Sequence, residues 1–250
     1  MRTLLLGTVA GLLLALAGGP ASARAVKVLI ITGDHGHKWK ETTPFLKDLL
    51  TKAGHEVDVT EAPSRDLTAD NLAKYDVLLL NYRNTPNGAK ANPASVWTDE
   101  NKKAFREAVQ GGKGLVVYHH ASSAFVGDAE FDREFEKIIA GGWRKQGNHG
   151  KRHEFNVTIR KADHPITKGM PAEFAHANDE LYQNSVMFPD SVVLATAFSD
   201  IPKLLASRCR GALASQSEKR CLSLASFTAR SPSDTIPISR LFSTTGRRRI

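Results

Sequence analysis

Residues 26–32 read VKVLIIT and are followed by Gly33. This run is continuous, apolar and rich in β-branched residues, the pattern of a strand buried on both faces of a parallel sheet. Two further runs of the same kind occur at 75–82 (YDVLLLNY) and 114–119 (GLVVYH). Because a buried parallel sheet needs cover on both faces, these runs predict helices on either side of one sheet.

Helical patterns alternate with these strands. Thr43 and Pro44 suit an N-cap and a first helical position, so we expect a helix from Pro44 to Gly54. Thr98 is expected to cap a second helix, and Asp128 to open a third. The alternation predicts an α/β protein with a three-layer α/β/α sandwich on a mainly parallel sheet. Two later strand patterns, at 154–160 and 192–198, either extend this sheet or form a β-rich flap.

The N-terminus has the pattern of a secretory signal peptide. A short positive start precedes an apolar run at 3–17, and small residues suited to cleavage surround Ala23. The run is shorter than the roughly 20 residues that span a bilayer. We therefore expect residues 1–23 to be removed and the protein to be exported to the periplasm or the medium, without stable membrane insertion. An uncleaved anchor is the alternative.

The net charge of +8 is confined to the last fifty residues. Residues 201–250 hold ten of the 34 Lys and Arg and two of the 26 Asp and Glu, so residues 1–200 have 24 of each. The folded part is not basic, and we expect no nucleic-acid partner. Both cysteines, Cys209 and Cys221, also lie in this segment, which shows no clear strand or helix period. We interpret it as a frame-shifted or truncated end following a domain at 26–200; a disordered basic tail is the alternative.

Histidines follow two of the predicted strands. His35 and His37 come directly after the first strand, and His119 ends the run at 114–119 with His120 directly after it. Ligands of open parallel sheets bind beyond the carboxyl ends of the strands. In a flavodoxin-like order one strand separates these two, so their ends lie about 10 Å apart and both histidine groups reach one pocket.

A second polar region runs from 141 to 182 and holds four of the nine histidines, among them His149 and His153. Its glycines and prolines exclude one long helix. Histidines and carboxylates in such a region are suited to binding a divalent metal or to acid/base catalysis, but no strong metal spacing such as HExxH is present. Walker A and GxGxxG patterns are absent, so we expect no nucleotide cofactor.

Aromatic and acidic side chains near these histidines are candidates for sugar binding. Trp39 and Trp143 flank the histidine loops and suit stacking on a sugar ring, although plain packing is the alternative. Asp179, Glu180 and Tyr182 suit orientation of hydroxyl groups; a solvated turn with a buried tyrosine is the alternative. Thiol catalysis at the turn after 114–119 is excluded because no cysteine precedes residue 209.

Four strings resemble the ThuA-like (trehalose utilisation) domain of the class I glutamine amidotransferase-like superfamily. They are GDHGHKWKETTPFLKDLL, GKGLVVYHHASSAF, GGWRKQGNHGKRHEF and DHPITKGMPAEFAHANDELY. The resemblance covers about 26–200 and implies a flavodoxin-like sandwich without the amidotransferase cysteine. The Gly-rich turn, YGKGRV strand and LGHD motif with which the family usually continues are absent here.

The resemblance implies that His37, His120, His153 and the pair Asp179 and Glu180 are recurrent polar positions of the family, and the residue patterns above complete the expected site. The expected catalytic residues are His37, His120, His153 and Glu180. The expected substrate-binding residues are His35, Trp39, Trp143, Asp179 and Tyr182. If a divalent metal is bound, its candidate ligands are His37, His120 and His153.

The resemblance also implies a function in carbohydrate catabolism. We expect a small carbohydrate, trehalose or a keto-sugar, as the partner of this site, and histidine and carboxylate acid/base or metal-assisted chemistry. An enzyme of this kind would be a hydrolase or lyase, not a glutamine amidotransferase. Two alternatives remain: a noncatalytic sugar-binding or interaction module, and an inactive truncated product. The sequence indicates no particular oligomeric state.

Overall fold

The computed structural model describes residues 25–33, 37–83 and 93–198. The predicted signal peptide, His35 and the basic tail with its two cysteines lie outside the described residues. Within the described part, no helix combines the length and apolar character needed to cross a membrane.

Strands and helices alternate through the first half of the described chain, and short strands follow. The strands are β1 (Lys27–Ile31), β2 (Glu56–Thr60), β3 (Val77–Leu80), β4 (Gly114–Val117), β5 (Gly141–Gly142), β6 (Asn148–His149), β7 (His153–Ile159), β8 (Glu173–Asp179), β9 (Tyr182–Gln183), β10 (Val186–Met187) and β11 (Ala195–Ala197). The α-helices are α1 (Trp39–Lys52), α2 (Pro63–Asp66), α3 (Ala69–Leu72), α4 (Asp99–Gln110) and α5 (Asp132–Ile138). Short 3-10 helices occur at Pro93–Ser95 and His119–Ser123.

The main sheet has four parallel strands in the order β2-β1-β3-β4. Leu29 of β1 is level with Leu78 of β3, which is level with Leu115 of β4. This is the flavodoxin-like order over the first four strands. It confirms the predicted fold class and places β1 and β4 on either side of β3.

The apolar run at 26–32 is buried on both faces of the sheet. Val28 and Ile30 pack with Leu46 of α1 on one face. Leu29 packs in a cluster with Phe105 of α4 on the other face. Burial of each such side chain stabilises the fold by about 1.5–3 kcal/mol. The helices on both faces explain why the strand lacks a polar alternation.

The first helix begins earlier than the sequence predicts. It starts at Trp39, so the expectation that Thr43 caps the helix and Pro44 opens it is wrong. Thr43 is buried, donates a hydrogen bond to the Thr32 hydroxyl at 3.2 Å and accepts one from the Asn81 amide at 2.9 Å. These tertiary hydrogen bonds link α1 to the ends of β1 and β3, which no local pattern reveals.

Of the two other predicted helix starts, the one at Thr98 is confirmed and the one at Asp128 is wrong. Thr98 caps α4 as predicted, with reciprocal bonds between its side chain and backbone and those of Asn101. Asp128, however, does not open α5, which begins at Asp132. The Asp128 carboxylate instead accepts hydrogen bonds from the backbone N–H groups of Glu130 and Phe131 in the turn before the helix.

The strands predicted at 154–160 and 192–198 do not extend the parallel sheet. They correspond to β7 and β11, which pair with β8 in a separate antiparallel sheet of order β11-β7-β8. Strand β8 was not predicted from the sequence. The short pairs β5–β10 and β6–β9 lie beside the turn that follows β4, because Gly142 of β5 approaches Ser122 and Tyr182 of β9 contacts His119.

Candidate active site

The predicted meeting of the two histidine groups occurs at the carboxyl ends of β1 and β4. His37 follows β1 and His120 follows β4, and their imidazole rings stack with centroids 3.9 Å apart and planes 9° apart. His120 is only 3% exposed, whereas His37 is half-buried. The strand order brings the two loops together across the end of β3, as expected.

His119 completes this group. It has a φ of +46°, in the left-handed region that few non-glycine residues occupy. Such a turn directly after a strand leaves the side chain of His119 exposed to solvent while that of the next residue is buried. The His119 ring lies edge-on to those of His37 and His120, with centroids 5.9 and 5.7 Å away. Backbone strain of this kind clusters at functional sites.

An aromatic wall borders the three histidines. Tyr182 of β9 lies with its hydroxyl oxygen 3.2 Å from His119 Nε2, and the two rings stack with centroids 4.8 Å apart. Trp143 meets the Tyr182 ring edge-on at 4.6 Å, and His149 of β6 lies 5.9 Å from Trp143. Because β6 and β9 pair directly, with His149 opposite Tyr182, the wall is set by backbone hydrogen bonds.

Gly147 fixes the position of the Trp143 ring. A Cβ atom added at Gly147 would lie 2.7 Å from the indole, closer than real Cβ contacts come. The indole therefore packs directly on the backbone of this turn. A larger residue at 147 would displace Trp143 from Tyr182.

Two carboxylates act on the histidines, one from Asp179 at the end of β8 and one from Glu180 in the turn that follows. Glu180 has an oxygen 3.8 Å from His149 Nε2, and its charge acts on both His37 and His119. Asp179 is held by Arg152 at 3.2 Å and accepts the backbone N–H of Glu180 at 2.8 Å. The hydrogen bond to its neighbour orients this acidic pair.

The surroundings shift the pKa values of the site. Burial lowers the pKa of His37, and the charges of His119 and Arg83 add to this effect, against a smaller opposing effect of Glu180. Burial also lowers the pKa of His119, although Asp179 and Glu180 oppose it. His119 is exposed as a residue, but the rings of His37, His120 and Tyr182 lie against its imidazole and exclude part of the solvent. These two imidazoles are therefore neutral at neutral pH.

Tyr182 is protonated under the same conditions. Burial raises the pKa of Tyr182 well above its usual value, and the charges of Glu180 and Asp179 raise it further. The hydroxyl therefore remains able to donate a hydrogen bond across the physiological range. The site thus combines neutral imidazoles, a protonated phenol and two carboxylates, which suits proton transfer to and from a bound molecule.

Among the described residues, one group of side chains has the geometry to hold a metal ion. It consists of His37, His119 and His120, each with a nitrogen within 4.8 Å of those of the other two. Two of the three candidate ligands expected from the sequence are thus in the group. His153 is not in it, and His119 takes the third place.

Most of the predicted site residues that the structure describes come together, whereas His153 and Trp39 have other surroundings. His153 begins β7 opposite Asp179, its Nδ1 donates to the Lys151 carbonyl at 2.9 Å, and its catalytic role stays a prediction. Trp39 begins α1 and lines a groove between α1 and β2 with Pro44. His35 lies outside the described residues. The residues that do border the histidine group are Trp143, Asp179, Glu180 and Tyr182.

Four neighbours of this site received no individual role from the sequence, although His119 and His149 were named there as members of histidine groups. They are Arg83, His119, His149 and Arg152. His119 carried a usable signal because it is the first histidine after a buried strand, at the position where a sharp turn exposes one side chain. The others enter the site only through strand pairing and loop packing, which leave no local pattern.

Comparisons with known proteins agree with the resemblance seen in the sequence. A profile of the ThuA family, described as trehalose utilisation, matches residues 27–216. The solved structure of a ThuA-like protein from Parabacteroides merdae is 29% identical, with a TM-score of 0.58 over 71% of this chain and 70% of its own. A ThuA-like protein from Bacteroides uniformis is 25% identical, with a TM-score of 0.54 over 72% and 71%. No curated protein matches the chain.

Proposed function

Because this chain belongs to the trehalose utilisation (ThuA) family, we propose that it is an exported enzyme of carbohydrate catabolism. Its substrate class would be trehalose or a keto-sugar, and its reaction a hydrolysis or an elimination. The family description, trehalose utilisation, supports a carbohydrate substrate. The histidine and carboxylate groups at the edge of the sheet support a catalytic function.

The walls of the site suit a sugar. Trp143 and Tyr182 present aromatic surface of the kind that packs on the apolar face of a sugar ring. Asp179 and Glu180 offer carboxylate oxygens that accept hydrogen bonds from sugar hydroxyls. Arg152 and the backbone N–H of Glu180 hold Asp179 in place for this purpose.

The chemistry follows from the protonation states. In an elimination from a keto-glycoside, Glu180 removes the proton on the carbon beside the keto group. The electron pair of that C–H bond forms a C=C bond as the glycosidic C–O bond breaks, and the departing oxygen takes a proton from the Tyr182 hydroxyl. The contact of Tyr182 with His119, within electrostatic reach of Glu180, is the observation that carries this proposal.

Replacement of Glu180 tests the proposal. We expect Glu180→Gln to lower turnover of a keto-glycoside by roughly 100-fold or more, because the base is lost while the shape is kept. Glu154→Gln is the matched control, since Glu154 is exposed on β7. Thermal melting of both variants checks the fold. Equal turnover in the two variants would remove Glu180 from the mechanism.

A noncatalytic sugar-binding module is the second candidate, and the aromatic wall is the observation that favours it. Such a module needs Trp143 and Tyr182 but no base. Calorimetric binding of trehalose or a keto-sugar without turnover in the wild type, unchanged by Glu180→Gln, would establish the module instead of the enzyme.

Export is a separate part of the proposal and rests on the N-terminal sequence. Expression in a bacterial host followed by N-terminal sequencing of the periplasmic fraction tests it. We expect a mature chain beginning after Ala23 or Ala25. A full-length chain starting at Met1 in the membrane fraction would support the anchor.

A further inference from the structure

The three histidines at the ends of β1 and β4 form a potential ligand set that does not depend on the substrate. We propose that His37, His119 and His120 together bind one divalent transition-metal ion of the zinc type. This inference deepens the proposed function, because it adds a cofactor to the same site, but its test needs no turnover. The observation behind it is the mutual approach of the three nitrogens within 4.8 Å.

The donor set matches the chemistry of such an ion. Zinc takes imidazole nitrogens at about 2.0–2.1 Å, and a site with three protein ligands keeps a fourth position open for water or substrate. Nitrogens around a tetrahedral ion lie about 3.3 Å apart, so closure from the present spacing is on the order of 1 Å. Imidazole donors favour zinc, copper, nickel or iron over calcium and magnesium.

The rings must turn to bind the ion. His37 and His120 now stack face to face, with planes 9° apart, so their lone pairs do not converge on one point. His120 is buried and serves as the fixed ligand, whereas His37 is half-buried and His119 is exposed. Metal binding therefore requires the less buried rings of His37 and His119, which lie outside the strands, to rotate about their side-chain bonds towards His120.

Tyr182 lies beside one of the two ring nitrogens of His119. Its hydroxyl oxygen lies 3.2 Å from Nε2. When Nε2–H donates to this oxygen, Nδ1 has the lone pair that a metal requires. A partner on the far ring nitrogen is the usual outer contact of a metal-bound histidine. Tyr182 thus acts here as a positioning residue for the ion.

The charges around the histidines favour a cation. Glu180 and Asp179 lie close enough to act on His119, and Glu180 also acts on His37. Arg83 opposes these carboxylates, since its charge lowers the pKa of His37.

Metal binding by the purified full chain tests the inference. The probes are Zn²⁺, measured by equilibrium dialysis and elemental analysis, and Co²⁺, measured by its visible absorption. A Cys209→Ser, Cys221→Ser background removes the two thiols as competing ligands. Circular dichroism and thermal melting establish that each variant is folded before its affinity is compared.

We expect about one ion per chain in this background. His37→Gln and His119→Gln should each weaken binding by more than roughly 10-fold, and Tyr182→Phe by roughly 10-fold. His176→Gln is the matched control, because His176 of β8 is another half-buried histidine and its ring stacks on Phe155 of β7. It should leave the affinity unchanged.

Three results would overturn the inference. The folded background protein could bind no ion, the His37 and His119 variants could bind as well as the control, or His153→Gln could abolish binding while His119→Gln preserves it. Ion binding without sugar turnover would uphold this inference and count against the proposed enzyme. Sugar turnover that a chelator does not affect, in a protein that binds no ion, would uphold the proposed enzyme and overturn this inference.

Discussion

Tyr182 and His119 lie 63 positions apart in the chain, yet the hydroxyl oxygen of one is 3.2 Å from Nε2 of the other and their rings stack. The contact joins the short β6–β9 pair to the turn that follows β4. It therefore links the polar region at 141–182 to the parallel sheet. The link lies at the carboxyl ends of the strands, where ligands of such sheets bind.

Removal of the Tyr182 hydroxyl should affect activity more than stability. Tyr182→Phe keeps the ring that stacks on His119 and meets Trp143 edge-on, but it loses the proton donor. We expect turnover of a keto-glycoside to fall by roughly 100-fold with little change in melting temperature. Steady-state kinetics beside a thermal melt measure both. A large drop in melting temperature with unchanged turnover would indicate a structural role only.

Loss of the indole should affect sugar affinity. Trp143→Leu removes the aromatic surface, and Gly147→Ala should displace the same indole because its Cβ would lie 2.7 Å from the ring. We expect both variants to weaken sugar binding in calorimetry by roughly 10-fold or more. Gly150→Ala is the control for the same loop, because no atom lies within 4 Å of its added Cβ. Equal affinity in all three variants would remove Trp143 from the binding surface.

Gly141 should be essential for stability. Its φ is +128°, and an added Cβ would lie 2.1 Å from the Val186 carbonyl oxygen across the β5–β10 pair. We expect Gly141→Ala to lower the free energy of unfolding by about 3 kcal/mol or more, from strain and steric overlap together. Urea denaturation measures the change. A loss within about 0.5 kcal/mol would show that this pair opens without cost.

Acidification should destabilise the metal-free protein through two histidines. The pKa values of His37 and His119 are lowered from 6.5 in the folded state, so the unfolded chain binds more protons between the folded and unfolded values. Their contribution to stability is complete above pH 6.5 and is lost as the pH falls through the folded pKa values.

The test compares melting temperatures at about pH 7.5 and pH 5.5 in the presence of a chelator. We expect the double variant His37→Gln, His119→Gln to lose less melting temperature on acidification than the wild type does. An identical loss in both proteins would assign the acid sensitivity to other groups.

The sequence was a good guide wherever one segment carries its own pattern. The apolar run at 26–32 indicated a buried parallel strand, and Thr98 indicated a helix start, because both depend on neighbours in the chain. The prediction that Thr43 caps the first helix was wrong because the role of Thr43 depends on residues distant in the chain. Its hydroxyl forms hydrogen bonds with Thr32 and Asn81, so a residue typical of a cap lies inside the helix.

Some features of the candidate site could likewise be predicted from local sequence, and others could not. The sequence alone determined the sandwich, the family resemblance and the position of His37 and His120 after two strands, because hydrophobic periodicity and strand ends are local properties. Only the tertiary structure decided that His119, at a left-handed turn, faces Tyr182, and that His153 lies on another sheet. These placements depend on which strands pair and how loops pack, and both are set by interactions between residues distant in the chain.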